Sequence, residues 1–420
     1  MSTQVAPPLA HTVNTSTNGA SSGKVAGASH HRTHVGGLNL PSSQSVSIVG
    51  GQKHELMYVP ASSVPNFGSY GVIDIKDKNV LIHGINLQFV CSPVVGSSLV
   101  GYFNPASYFF QRIEVVINGV VIDQLMGNQQ HLLTQFLEFD EDRLSLGLAQ
   151  GLYTSTANRT ALSSQTTTNT FNIQLKSFFE QSKGLALLTN QHEIQLRIYM
   201  SQLSDVFYVS SGTLTSCTVQ SCTAICDVTR MNAETSAKKL QEMIAHPEHS
   251  IFHQNSYMTY TVPIGTTSIN IILGALTGSM AGLCFTVRAS TVGLGAWNYT
   301  QLTSYAILDA GGQNIVGGQN IPSAYGSLVM NSRNIKSSYN VETSLGSTNN
   351  GANFYMWSHS ANLADALEHG RALSSRKYTG NDQLVLQFPV ATTVLQTVDI
   401  YGFLETVLEY TATSVNKTVL

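Results

Sequence analysis

Charge is what this sequence has least of. Of its 420 residues only 11% are Asp, Glu, Lys or Arg, less than half the share of an average soluble domain, about 25%. The net charge is −3 and the pI about 6.5, so bulk attraction to nucleic acid or to an anionic membrane is not expected. Five cysteines, an odd count in a long chain, argue against a disulfide framework. Trp297 and Trp357 are the two tryptophans, few for a sugar-binding groove lined with aromatic platforms. No basic segment followed by an apolar core opens the chain, and no signal peptide is expected.

What is present is apolar and uncharged polar. Hydrophobic residues make up 42%, and Ser, Thr, Asn, Gln and 34 glycines supply the polar surface. Such a surface does little to keep neighbouring copies apart. It suits an extracellular protein, a fibre or a close-packed assembly. The length fits two domains of about 200 residues.

Residues 1–45 are rich in Ser, Thr, Gly, Asn and His, with Lys24 and Arg32 as the only cations and no acid before Glu55. This composition buries too little apolar surface to offset its chain entropy and reads as a flexible arm. From about residue 50 the pattern is that of β-strands. Asn118-Gly119 separates two β-branched runs between Ile113 and Leu125. That dipeptide accepts positive φ at both turn positions and predicts a two-residue hairpin. Phe171, Ile173 and Leu175 alternate with Asn172, Gln174 and Lys176, and His192 to Ile198 repeats the pattern, as half-buried antiparallel strands do. Helices are few: Leu132, Phe136 and Phe139 at helical spacing, Ala233, Ala237, Leu240 and Ile244 after an N-cap at Asn232, and residues 362–370.

The order of elements repeats. Strands about a Gly-Ser turn near Gly96, the hairpin, the helix at Leu132 and the strands at Phe171 and Ile194 find counterparts in the second half. These are strands about a turn at Gly278-Ser279, the run Tyr305 to Val316, the helix at 362–370 and strands at 384–388 and 394–403. The expected offset grows from about 180 to about 210 residues. The expected fold is all-β, two tandem eight-stranded jelly-roll β-sandwiches with few short helices. The arm spans 1–45, the first jelly roll 46–232, a helical linker 233–253 and the second jelly roll, with a C-terminal tail, 254–420.

Several stretches invite a chemical reading. Ile269 to Val287 carries no charge and spaces Gly274, Gly278 and Gly282 as close-packed membrane helices do. Thr277, Ser279 and Asn270 favour two soluble strands joined by a turn. Cys217, Cys222 and Cys226, with His246, His249 and His253 downstream, are spaced more widely than zinc ligand pairs prefer and read as buried thiols on a Thr-rich strand. His30, His31 and His34 could bind metal weakly on the arm. Gly19 to Gly23 matches the nucleophile-elbow pattern without its strand and helix. Gly311 to Ile315 and Gly317 to Ile321 repeat Gly-Gly-Gln-Asn-Ile but lack the ending of a phosphate loop. Glu138, Asp140, Glu141 and Asp142 could supply paired carboxylates, though with Arg143 beside them they read as a solvated face. Lys24 and Arg32 would give a salt slope of only about −2, too weak to condense a genome. Sequons stand at Asn14, Asn158, Asn298 and Asn416, for which no secretory route is expected.

Residues 171–182, Gly184 to Leu188 and His192 to Ile198, together with the Ile117-Asn118-Gly119 turn, resemble the end of the first jelly roll and the hairpin of double jelly-roll major capsid proteins. These build the shells of tailless icosahedral double-stranded DNA viruses, and the resemblance is to the polinton-like virus type, over about residues 50–410. It implies a structural protein of the virion, assembled in the infected host cell, with no catalytic, cofactor-binding or metal residues. It implies homotrimers forming pseudo-hexameric capsomers, contacts with neighbouring capsomers and with minor capsid, penton or cement proteins, and contact of residues 1–45 with an inner membrane. Specific nucleic-acid binding is not implied. The alternative from the residues alone is a β-sandwich adhesin or lectin that binds a glycan or receptor, with a secreted β-sandwich glycosidase behind it.

Overall fold

The hairpin anchors the first half. Asn118 and Gly119 take φ of 52° and 82°, the turn geometry their side chains permit. They join Phe110–Ile117 to Val120–Met126. These strands continue a four-stranded antiparallel sheet in the order Tyr70–Ile75, Ile194–Met200, Phe110–Ile117, Val120–Met126. A second sheet faces it: Gln52–Pro60, Val219–Met231, Val80–Cys91, with both Asn169–Gln174 and Leu185–Leu187 on Val80–Cys91. Ser47–Ile48 pairs with the outer edge of Gln52–Pro60. Phe171, Ile173, Ile194, Leu196 and Ile198 all point between the sheets and are buried, as their alternation requires.

The computed structural model describes residues 47–48, 52–93, 95–96, 99–101, 108–137, 168–176, 178–181, 184–188, 192–209, 214–291, 299–316, 320–322, 354–361, 363, 366–367 and 374–420. All of them fall in one compact unit, Leu40–Leu420.

The second half repeats the main strands of the first, without counterparts among the described residues to the short pairs Leu99–Gly101 with Phe207–Val209 and Val95–Gly96 with Leu214–Ser216. One sheet runs Glu248–Val262, Gln396–Tyr410, Thr277–Ala289, with Phe354–Ser358 and Arg376–Thr379 both on Thr277–Ala289. The other runs Ser268–Ile272, Gln383–Gln387, Ser304–Leu308, Ile321–Pro322. Each half therefore has eight strand positions in jelly-roll order, with the sixth split in two. Val415–Val419 adds a further strand along Gln396–Tyr410.

The repeat is real but its bookkeeping differs from the sequence expectation. Equivalent strands begin 198 residues apart at Tyr70 and Ser268 and 177 apart at Val219 and Gln396, so the offset shrinks. The helix Gly127–Leu137 has no counterpart at 362–370. The helical residues 363 and 366–367 lie between the two halves of the split strand, where the first barrel carries Phe178–Gln181. Amphipathic helices look alike locally, and only strand pairing tells which connection each occupies. Nor is Gly278-Ser279 a turn. Both residues lie inside Thr277–Ala289, and the chain reverses at Leu273–Leu276, where the Leu276 N–H donates to the Leu273 carbonyl at 2.9 Å.

The linker expected over 233–253 is helix over Ala233–Ala245, and from Glu248 the chain is already a strand. Asn232 caps the helix, its Oδ1 accepting from Thr235 N–H at 2.8 Å. Ser236 and Met243 are buried, with Leu240 packed beside the core, while Ile244 is 68% exposed. The buried stripe thus sits one position round from the one read off Ala233, Ala237 and Ile244.

Candidate functional site

The most built-up polar region of the molecule is the seam between the two barrels. It begins at the helix that follows the Val120–Met126 strand. Asn128, Gln129 and Gln130 occupy its first turn and are all buried. Each reaches a different partner. Asn128 Nδ2 donates to the Tyr401 hydroxyl at 2.9 Å, and its Oδ1 accepts from Tyr108 at 3.2 Å and Tyr299 at 3.3 Å. Gln129 Nε2 donates to Asn255 Oδ1 at 2.7 Å. Gln130 clamps the backbone of Lys176, accepting from its N–H at 2.7 Å and donating to its carbonyl at 3.2 Å.

Asp123 stands beside this turn, buried. Its Oδ1 accepts from the backbone N–H groups of Gln124 at 2.9 Å and Asn255 at 3.1 Å, and from Asn255 Nδ2 at 3.3 Å. Burial pushes its carboxyl up to about 6, while those hydrogen bonds and Lys417 pull the other way. Lys417 Nζ donates to the Val121 carbonyl at 2.7 Å, so the last strand grips the first barrel. Farther along, Gln181 Oε1 accepts from the His253 N–H at 2.6 Å, Phe178 meets Phe252, and the Tyr410 hydroxyl donates to the Ala186 carbonyl at 2.8 Å.

These contacts cover the middle of one face of the second barrel's Glu248–Val262 sheet, while Ile251, Thr259 and Thr261 towards its ends are exposed. Asn255, Tyr401, Phe403, Cys284 and Thr286 point at the first barrel, and none is more than 4% exposed. The opposite face lines the second barrel's own core with Leu283, Phe285, Val398 and Ile400. A strand buried on both faces has no polar side and reads as a continuous apolar run. That explains the second part of the charge-free stretch, residues 280–287, whereas Ser268–Ile272 lies in the other sheet with Asn270 and Ile272 exposed. The stretch folds as two strands, and no helix among the described residues is long and apolar enough to cross a membrane. Gly282 sits where an added Cβ would lie 2.8 Å from the Trp357 carbonyl oxygen, a tight strand contact that accounts for one of the spaced glycines.

Among the described residues, the corresponding sheet of the first barrel is covered on its inner face alone. Its outer face carries His54, Leu56 and Tyr58, then Thr223, Ile225, Asp227 and Thr229, then Leu81, His83, Asn86, Gln88 and Val90, none of them buried. Leu56 is 48% and Tyr58 59% exposed. Two histidines, one carboxylate and the Tyr58 phenol are the titratable groups among these. His54 Nε2 lies 3.0 Å from Asp227 Oδ1, and His83 Nε2 is 2.9 Å from Thr229 Oγ1.

The residues singled out from the sequence do not converge on a reaction centre. Cys217, Cys222 and Cys226 are free and buried, burial pushing the thiols of Cys222 and Cys226 up to about 12. His246 and His249 are exposed, and His253 is buried in the seam. No group of metal-ligating side chains gathers among the described residues. Gly311 and Gln313 donate their N–H groups to Asp309 Oδ1 in a turn. Trp357 is buried in its strand, and Asn416 Nδ2 donates to Glu409 Oε2 at 3.1 Å. Gly19 to Gly23, Lys24, His30 to His34, Arg32, Glu138 to Arg143, Gly317, Trp297, Asn14, Asn158 and Asn298 lie outside the described residues. The sequence reading missed the Asn128-Gln129-Gln130 turn. Three consecutive long polar residues opening a helix whose later positions are apolar were the available signal.

The sequence matches no family profile and no curated protein. Its fold matches solved capsid structures. The similarity to PBCV-1 VP54, fitted into a reconstruction of the virophage Sputnik, has a TM-score of 0.67 at 15% identity over 89% of this chain and 98% of that one. The Sputnik virophage structure aligns with a TM-score of 0.59 at 13% identity over 91% of both chains. The Faustovirus major capsid protein gives 0.56 at 7% identity, over 92% of this chain and 93% of that one. The chain has the double jelly-roll fold.

Proposed function

We propose that this protein is a viral major capsid subunit, a structural protein and not a catalyst, that assembles with itself into the shell of a virion. The finer reading is a homotrimer whose six barrels form a pseudo-hexameric tile of an icosahedral shell around a double-stranded DNA genome. The single observation that carries it is the inequality of two equivalent sheets. The second barrel's sheet is buried under the first barrel of the same chain, whereas the first barrel's sheet has no cover among the described residues. Repeating the internal relation would lay the second barrel of another copy on that free face. Such a contact is head-to-tail, and head-to-tail contacts that close make rings. Three chains of two barrels then satisfy every sheet. The low charge supports the same reading, because it leaves little repulsion between copies. Minor capsid proteins, and an inner membrane met by residues 1–45, are further partners in this proposal.

Light scattering with negative-stain imaging of the same fraction tests it. The expected result is a particle near 136 kDa, three times 45.3, with a flat six-lobed outline. A two-lobed monomer at all concentrations that is retained on a glycan column would overturn it in favour of an adhesin.

A further inference from the structure

The free face of the first barrel carries an acid-sensitive cluster at the place where a second copy would dock. The inner faces of its strands point to the core, so only the outward side chains would meet a partner. Among these, His54 from Gln52–Pro60, Asp227 from Val219–Met231 and His83 from Val80–Cys91 lie side by side. The two imidazole rings are 6.2 Å apart, with Asp227 3.0 Å from His54. Gly184 abuts His83 from above, its Cβ direction 3.1 Å from Nδ1. Lys53, Glu55, Arg230 and Asp77 lie near the same end of the sheet but pair among themselves. Lys53, Glu55 and Arg230 sit at strand positions that alternate to the other side. One carboxylate therefore serves two imidazoles.

We propose that this cluster makes the docking of a second copy pH-dependent, with the interface formed when the histidines are neutral and released on acidification. The proposal rests on the trimer reading above. Its physics is that of buried charge. At neutral pH the face carries at most the one charge of Asp227. In acid both imidazoles take a proton, Asp227 balances one, and the second cation would have to be covered by the partner. The pseudo-equivalent face of the second barrel shows how complete that cover is, with Asn255 4% and Tyr401 1% exposed. An uncompensated charge under such cover is strongly disfavoured. Burial already holds the His83 imidazole below its usual range, with Asp227 opposing and His54 reinforcing that shift. Protonation of His83 thus follows that of an ordinary histidine and sets the lower edge of the transition.

If one proton is excluded by docking, each interface weakens progressively as the pH falls, up to about tenfold for each pH unit below the pKa of the group concerned. Three interfaces in a ring multiply the effect, so trimer association is steeper in pH than any single contact. The experiment is light scattering of the full chain over a dilution series at pH 7.5, 6.5, 5.5 and 5.0. The panel is the native protein, His54→Gln, His83→Gln and the double variant. The expected result is a native trimer that dissociates on acidification while the double variant stays associated. His54 is exposed in the subunit, so H54Q alone tests the idea without disturbing folding, and its transition should move to lower pH. A native trimer whose dissociation midpoint is the same at pH 7.5 and 5.0 overturns the switch and leaves the trimer reading standing. Acid dissociation that is identical in H54Q and the double variant also overturns it. A monomer at pH 7.5 in every dilution overturns the trimer reading and the switch together.

Discussion

Asn128 of the first barrel donates to the Tyr401 hydroxyl of the second at 2.9 Å while accepting from Tyr108 and Tyr299. One amide thereby satisfies three phenols, all of them buried. Burial holds the Tyr299 and Tyr401 hydroxyls well above the usual tyrosine range, so they stay neutral and need partners of this kind. Asn128→Ala removes the hub and strands buried hydroxyls. The expected loss is about 2 kcal/mol or more, read as a fall in the denaturant midpoint. The double variant with Tyr401→Phe should lose less than the two single losses added, because the pair shares one interaction.

Asp123 gives the seam a pH signature. Its carboxyl titrates near 6 in the folded protein against 3.8 ordinarily, so the native state binds more protons between those values. Stability contributed by this group is therefore present in acid and falls as pH rises from about 4 to 6, by roughly 3 kcal/mol. Asp123→Asn should remove that slope. Urea unfolding at pH 4.5 and 6.5 checks it, and an unchanged slope in the variant would sink the assignment.

His253 acts in the opposite sense over nearly the same window. Burial pushes its imidazole down to about 4 from 6.5. The unfolded chain then binds the extra proton, and stability is lost as pH falls from 6.5 towards 4, again by about 3 kcal/mol. The two groups nearly cancel in the native protein. His253→Gln should unmask the Asp123 slope, and Asp123→Asn the His253 slope, so the two variants should change the pH profile with opposite signs.

Two glycines differ in the room beside them. An added Cβ at Gly282 meets the Trp357 carbonyl oxygen at 2.8 Å and Leu363 Cδ2 at 3.1 Å, whereas at Gly84 it meets nothing within 4 Å. Gly282→Ala should cost about 1–3 kcal/mol through overpacking. Gly84→Ala should leave the subunit within about 0.5 kcal/mol of native stability. Thermal unfolding of both variants in parallel makes the comparison.

Much of the strand content was legible because it rests on short-range rules. Phe171 to Lys176 alternates, and a pleated strand must send alternate side chains to opposite faces. Asn118-Gly119 takes positive φ whatever surrounds it. The candidate site was far less legible. Asn128, Gln129 and Gln130 look like a solvated helix start, and only the second barrel makes them an interior. The helix at Gly127 and the helical residues 363 and 366–367 look equivalent in sequence and belong to different connections, because strand partners lie scores of residues away.

The sequence by itself determined that this chain would be two β-sandwiches in tandem, since alternation, turn residues and the order of elements are written in neighbouring positions. Only the tertiary structure decided which sheet is covered twice. Residues 280–287 of the strand Thr277–Ala289 are buried throughout for that reason, with their own barrel on one side and the other barrel on the other. His54, His83 and Asp227 have no second barrel over them among the described residues for the converse reason: burial depends on what is brought across from far along the chain, and no local pattern of residues records the identity of the second surface.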